Sequence, residues 1–260
     1  MNLFYQLDTV NTDAPWLVLI HGLFGSLDNL AVVKRHLAST HNIISVDLPN
    51  HGRSPWSEGF RFEDATQGVL NILDENNIVS ASVLGHSLGG KVAMLLALRA
   101  PQRVRSLIVA DISPVDYTPR HQAVFSGLSA VDLPALTSRK DAEHQMSAHI
   151  VEPGTKQFLL KSLYQEDGHW GWRFNLSGLI ESYPTIISWP APEGTYEGDC
   201  LFIKGANSDY ITESHRPAIA KWFPNAKAKI INGTGHWLHA EKPTVFNRIV
   251  ENALSVASKN

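Results

Sequence analysis

The sequence predicts an α/β fold built on a mainly parallel sheet, and three observations carry that prediction. Seven short runs rich in β-formers alternate with segments of helical period, the rhythm of strand–helix–strand units. Several of these runs are continuously apolar, as expected of parallel strands covered on both faces. The rhythm is suspended once, across residues 113–195, and resumes at Leu201.

In chain order, strands are expected at residues 3–7, 16–20, 42–46, 81–84, 105–110, 201–204 and 227–231, because each is a short Val/Ile/Leu-rich run bounded by turn formers. Helices are expected at 27–39, 62–76, 88–100, 215–222 and 243–257. In the second, Ala65, Val69, Leu70 and Leu73 fall on one face at helical spacing. The interrupting segment has helical period over 133–150 and 155–164, prolines that include Pro134, Pro184, Pro190 and Pro192, and no convincing strand. It reads as a helical subdomain inserted into a sheet domain formed by residues 1–112 and 196–260.

Composition narrows the function classes. The 260 residues are 43% apolar and 18% charged, which suits a folded domain better than a disordered one. Lys and Arg number 22 against 25 Asp and Glu, for a net charge of −3, with no basic cluster of the kind that binds nucleic acid. No stretch approaches the roughly 20 apolar residues of a membrane span, and the N-terminus shows no signal peptide. The one cysteine, Cys200, lies in an apolar run and reads as a buried, inert thiol; the expected compartment is a reducing cytoplasm.

The central motif is Gly85-His-Ser-Leu-Gly-Gly90. A bare G-x-S-x-G is weak evidence, but this one follows a strand run and opens a helix, the setting of a nucleophile elbow. Ser87 is the candidate nucleophile, and Gly85 and Gly89 flank a strained turn where a Cβ would collide with backbone. A serine hydroxyl needs a base. Of the 12 histidines, His236 in Gly233-Thr-Gly-His-Trp237 is best placed, after the last strand run and so at the carboxyl edge of the sheet, where ligands bind. His239 lies three residues on, yet no third ligand with zinc-site spacing is near, so no metal is expected. The string His21-Gly-Leu-Phe-Gly25 follows the second strand run. The amides of Leu23 and Leu88 are the candidate oxyanion donors, the latter at the start of a helix.

HGLFG, GHSLGG and GTGHW, in this order and spacing over nearly the full length, resemble the α/β-hydrolase family. The resemblance looks closer still to the YbfF-type serine esterases, through HGLFGSLDNL (21–30), DLPNHGRS (47–54), DISPVDY (111–117), WRFN (172–175) and GHWLHAEKP (235–243). Asn50 stands where most of the wider family has Gly, and Asn tolerates a left-handed backbone. The resemblance implies an α/β-hydrolase fold, a mainly parallel sheet with helices on both faces and a helical cap inserted after strand six. It also implies esterase or thioesterase activity on acyl compounds, without a cofactor. In most of the family the triad acid follows strand seven, three residues after a glycine; here that place holds Ser208, and Asp209 comes one residue late. Asp111 ends the 105–110 run, the strand from which the resemblance to YbfF-type esterases implies that the acid comes, and that strand would lie beside the nucleophile strand; Asp111 is favoured as the acid, with Asp209 as the alternative.

The insert should roof the pocket. Its aromatics Trp170, Trp172 and Phe174 are candidates for an apolar acyl site, at least half of them being expected to pack cap onto core instead. Phe24 and Trp237 are the candidate substrate contacts, with small to medium acyl groups expected. Arg120 and Lys91 are candidates to meet a phosphate-bearing leaving group such as coenzyme A, although solvated surface charge is the stronger reading of both. Three competing functions share these features: a C–C bond hydrolase, a cofactor-free perhydrolase and a hydrolase-fold ligand receptor. A haloalkane dehalogenase would need a carboxylate at position 87.

Overall fold

The computed structural model describes residues 1–257. A short strand β1 (Tyr5–Asp8) precedes β2 (Trp16–Ile20), α1 (Ala31–Leu37), β3 (Asn42–Val46), α2 (Phe62–Glu75), β4 (Ala81–His86), α3 (Leu88–Arg99) and β5 (Val104–Ala110). The intervening segment carries α4 (Gln122–Ser129), α5 (Arg139–Met146), α6 (Pro153–Leu160), a hairpin of β6 (Leu163–Glu166) and β7 (His169–Trp172), α7 (Leu176–Glu181) and α8 (Tyr183–Ile187). The chain then returns through β8 (Asp199–Gly205), α9 (Arg216–Trp222), β9 (Ala226–Ile231), α10 (Leu238–Glu241) and α11 (Pro243–Ala257).

Seven strands form one sheet in the order β1-β3-β2-β4-β5-β8-β9, parallel throughout except for antiparallel β1. Strand β2 shows why alternation is absent from its sequence. Val18 and Ile20 pack into the cluster that includes Val69 and Leu73 of α2 and Val92 and Leu96 of α3, whereas Leu17 and Leu19 face Val33 and Leu37 of α1 and Phe246 and Val250 of α11. Both faces are dry, so both are apolar. The predicted face of α2 is buried at all four positions. Among the described residues no helix is long and apolar enough to cross a membrane.

Two expectations for the 113–195 segment are corrected. It contains a hairpin, β6 pairing antiparallel with β7, where no strand was expected and where 155–164 was read as helical to its end. Asp167 and Gly168 turn it at φ +48° and +82°, the left-handed pair of a tight hairpin. The expected helix over 133–150 is broken as well: Pro134 sits in a 3-10 turn and only α5 is α-helical. Helix 27–39 likewise begins as a 3-10 turn at Leu27–Leu30.

Candidate active site

The site grows from the carboxyl ends of β2, β4, β5 and β9. Ser87 sits on the turn from β4 into α3 at φ +53°, and its amide donates to the Ala110 carbonyl at 3.0 Å. Side chains at Gly85 or Gly89 would overlap the Gly89 and Ile20 carbonyls respectively, so only glycine lets the turn close this tightly.

The loop after β9 brings His236 Nε2 to 2.9 Å from Ser87 Oγ, while His236 Nδ1 lies 2.7 Å from Asp111 Oδ2. Asp111 follows β5 directly at φ +52°, is fully buried, and accepts the Gly205 amide at 3.0 Å through Oδ1. Ser208, at the position where most of the family carries the acid, donates its hydroxyl to Asp111 Oδ2. Asp209 does not bond His236: its carboxylate is exposed and pairs with Arg120 at 2.8 Å.

The His21–Gly25 loop packs against the nucleophile, since a Cβ on Gly22 would lie 3.1 Å from Ser87 Cβ. Among the described residues the amides of Leu23 and Leu88 donate to no protein acceptor, and Leu88 opens α3. Two buried imidazoles hold this loop. His21 Nδ1–H donates to the Gly22 carbonyl at 2.8 Å and Nε2 accepts the Leu48 amide at 3.1 Å. His51 Nδ1–H donates to the Pro49 carbonyl at 2.8 Å and Nε2 accepts the Phe24 amide at 3.1 Å. Burial keeps both neutral: it lowers the His21 pKa to about 4 and, with the neighbouring His21, that of His51 to about 3. Asn50, between them, adopts φ +65°.

Further contacts at His236 were not visible in the sequence. Tyr210 stacks on the imidazole, with ring centroids 3.9 Å apart and planes 19° from parallel, and the Arg120 guanidinium lies over the Tyr210 ring, 4.6 Å from its centroid. Tyr210 is itself fixed by the Tyr117 hydroxyl, which donates to its carbonyl at 2.6 Å. On the opposite side His86 donates Nε2–H to the His236 carbonyl at 2.8 Å; burial and the neighbouring His239 and His236 keep it neutral.

A cavity of about 370 Å³ opens at Ser87 and His236, lined by Phe24, Trp237 and Phe158 among others. Of the insert aromatics singled out from the sequence, Trp170, Trp172 and Phe174 do not line it: Trp172 stacks on Phe174 at 5.5 Å, both buried, and Trp189 packs edge-on against Trp222. Arg120 lines the cavity, paired with Asp209. Lys91 corrects the expectation of a solvated charge. Only 1% exposed, it donates to the carbonyls of Ile187 at 2.8 Å and Ser188 at 2.6 Å, so the nucleophile helix grips the end of α8. Cys200 is buried and its thiol pKa is pushed up by burial. Among the described residues no group of three metal-ligating side chains comes together.

A model of the alpha/beta hydrolase fold matches residues 15–243. The chain belongs to the α/β-hydrolase family. It is 42% identical over 240 residues to the esterase YbfF of Escherichia coli, covering 92% of each protein. It is 37% identical to the mouse sn-1-specific diacylglycerol lipase ABHD11, across 97% of this chain and 85% of that one. Among solved structures, a marine microorganism esterase superposes with a TM-score of 0.92 at 32% identity, covering 96% of this chain and 98% of the other.

Proposed function

We propose that this protein is a serine carboxylic ester hydrolase that cleaves acyl esters and thioesters of small to medium acyl groups, coenzyme A esters among them, through an acyl-enzyme on Ser87. One observation carries the reading: the unbroken hydrogen-bonded line from Ser87 Oγ through His236 to buried Asp111, beside two amides with no acceptor of their own. His236 takes the Ser87 proton as the hydroxyl attacks the acyl carbon. Asp111 fixes the tautomer that leaves Nε2 free to accept and stabilises the imidazolium that forms. The Leu23 and Leu88 amides hold the developing oxyanion, a contribution of about 10²–10³ in kcat per donor in comparable sites. His236 then protonates the leaving oxygen or sulfur, and water repeats the cycle on the acyl-enzyme. Phe24 and Trp237 contact the substrate, and residues 113–195 roof it as a cap. Each step uses groups on this chain, so the cycle calls for no cofactor or metal. The single buried cysteine fits a cytoplasmic setting.

Rapid mixing with p-nitrophenyl esters and acyl thioesters tests the proposal. A burst equal to the enzyme concentration is expected, lost in Ser87→Ala together with about 10⁶ in kcat, by analogy with serine proteases. Labelling of Ser87 by a fluorophosphonate without turnover of any ester would instead indicate a receptor.

A further inference from the structure

Two cavities meet at Ser87. The larger, about 370 Å³, is lined by His236 and Trp237. The smaller, about 30 Å³, is lined by Leu88 and not by His236, and also by Ile112, Ile186 and Tyr183. Given the acyl-enzyme reading proposed above, the chemistry tells the two apart. The leaving atom must meet the proton carried on His236 Nε2, so the alcohol or thiol lies in the chamber that His236 lines. With the acyl carbon bonded to Ser87 Oγ and its oxygen at the Leu23 and Leu88 amides, the remaining substituent points to the Leu88 side.

From this we infer that the small chamber is the acyl site, and that the enzyme is specific for esters of short, unfunctionalised acids, acetyl to propionyl, with bulky alcohols or thiols. Size sets the first limit: a cavity needs about 10–15 Å³ of this measure to hold one water-sized group, so 30 Å³ admits roughly two carbons beyond the carbonyl. Chemistry sets the second, because most polar groups around the chamber are already engaged. Lys91 Nζ is held by the Ile187 and Ser188 carbonyls, and the Tyr117 hydroxyl by the Tyr210 carbonyl. The Tyr183 hydroxyl donates to His121 Nδ1 at 2.6 Å and accepts the Arg120 amide at 3.1 Å. An incoming polar acyl group would find few open partners, the Arg120 guanidinium at the chamber's edge being paired with Asp209. The Lys91 grip on the end of α8 also keeps Ile186, one residue before Ile187, from swinging aside.

Two substrate series test this. Along p-nitrophenyl acetate, propionate, butyrate, hexanoate and octanoate, kcat/KM should fall about tenfold or more per added methylene beyond propionate, the range a filled apolar pocket imposes. Along acetate esters of ethanol, butanol, hexanol and 2-naphthol it should hold or rise. Ile186→Ala should move the acyl optimum to butyrate or hexanoate. Phe158→Ala, in the large chamber, should leave the acyl cut-off in place while weakening discrimination among the alcohols. A wild-type kcat/KM that climbs from acetate to octanoate would overturn the chamber assignment and leave the hydrolase reading standing, without recourse to any variant. No turnover of any ester in either series would fell the hydrolase reading and this inference with it.

Discussion

Replacing Asp111 by Asn separates the two candidate acids. In the wild type, Oδ1 receives the Gly205 amide, and Oδ2 receives the Ser208 hydroxyl and His236 Nδ1–H. An asparagine has one oxygen for these two sides. If it stays with the backbone donor at Gly205, its NH₂ faces His236 Nδ1, which must then accept; the imidazole proton moves to Nε2, and the group that should take the serine proton becomes a donor. If the amide turns over, NH₂ meets the Gly205 N–H and a buried donor is left without an acceptor, at a cost of about 1–3 kcal/mol. The first arrangement is the less costly and it disables the base. The expected loss is therefore about 10⁴ in kcat, as for the equivalent change in serine proteases, or about 5.4 kcal/mol of transition-state stabilisation. Asp209→Asn removes only an exposed partner of Arg120, worth about 0–1 kcal/mol, and should leave kcat within about threefold. Turnover of p-nitrophenyl acetate at pH 7.5, on variants shown by thermal melts to be folded, reads both. Asp111→Asn within tenfold of wild type, or an equal loss in Asp209→Asn, would refute the reasoning.

Acid should destabilise the fold in a defined window. His21 and His51 are neutral when folded, with pKa values lowered to about 4 and about 3 from 6.5, so below pH 6.5 the unfolded chain binds protons that the fold refuses. Stability is complete above about pH 6.5 and is lost as pH falls toward 4, by several kcal/mol at about 1.4 kcal/mol per tenfold in proton affinity; a Tm unchanged between pH 7 and pH 4.5 would contradict this. Lys91→Met strands the Ile187 and Ser188 carbonyls, each buried acceptor left without a donor costing about 1–3 kcal/mol. Tm should drop on the order of 10 °C, with faster amide exchange in α8, whereas an unaltered melt would show that the carbonyls find other donors. Tyr210→Ala, removing the ring from the His236 face, should lower kcat about tenfold with little change in KM, a positioning effect. Tyr210→Phe should restore it, and equal losses in both variants would place the role in the hydroxyl.

What was legible in the sequence is what neighbours along the chain decide. The turn at Ser87 is fixed by Gly85 and Gly89 within five residues, and Leu23 by its own glycine-flanked loop, so both could be read as strings. The acid was less open, because position 208 had to be read as empty of a carboxylate before Asp111 became the choice. Its serine is bound to Asp111 across 97 residues, a pairing no local pattern encodes. Lys91 was misread for the same reason: one turn after Ser87 it looks like an ordinary helix cation, and the carbonyls that bury it come from 96 and 97 residues away. The Tyr210 stack on His236 is equally non-local. The β6–β7 hairpin was a different kind of miss. Its Asp167-Gly168 pair is a strong local turn signal, outweighed by apolar residues that also suit a helix.

Strands β5 and β8 lie side by side in the sheet, although the chain leaves one and re-enters at the other only after α4 to α8. Closing a flexible connection costs little more as it lengthens, only about 0.6 kcal/mol for each doubling. Evolution is therefore free to lengthen, trim or rewrite this connection while Asp111 at the end of β5 and Gly205 at the end of β8 keep their registration. Ile186, Tyr183 and Phe158, which bound the two chambers, belong to the rewritable part, whereas Ser87 and His236 do not. Part of what the molecule accepts is thus inherited on a stretch of chain separate from how it cuts, and can drift at a different speed.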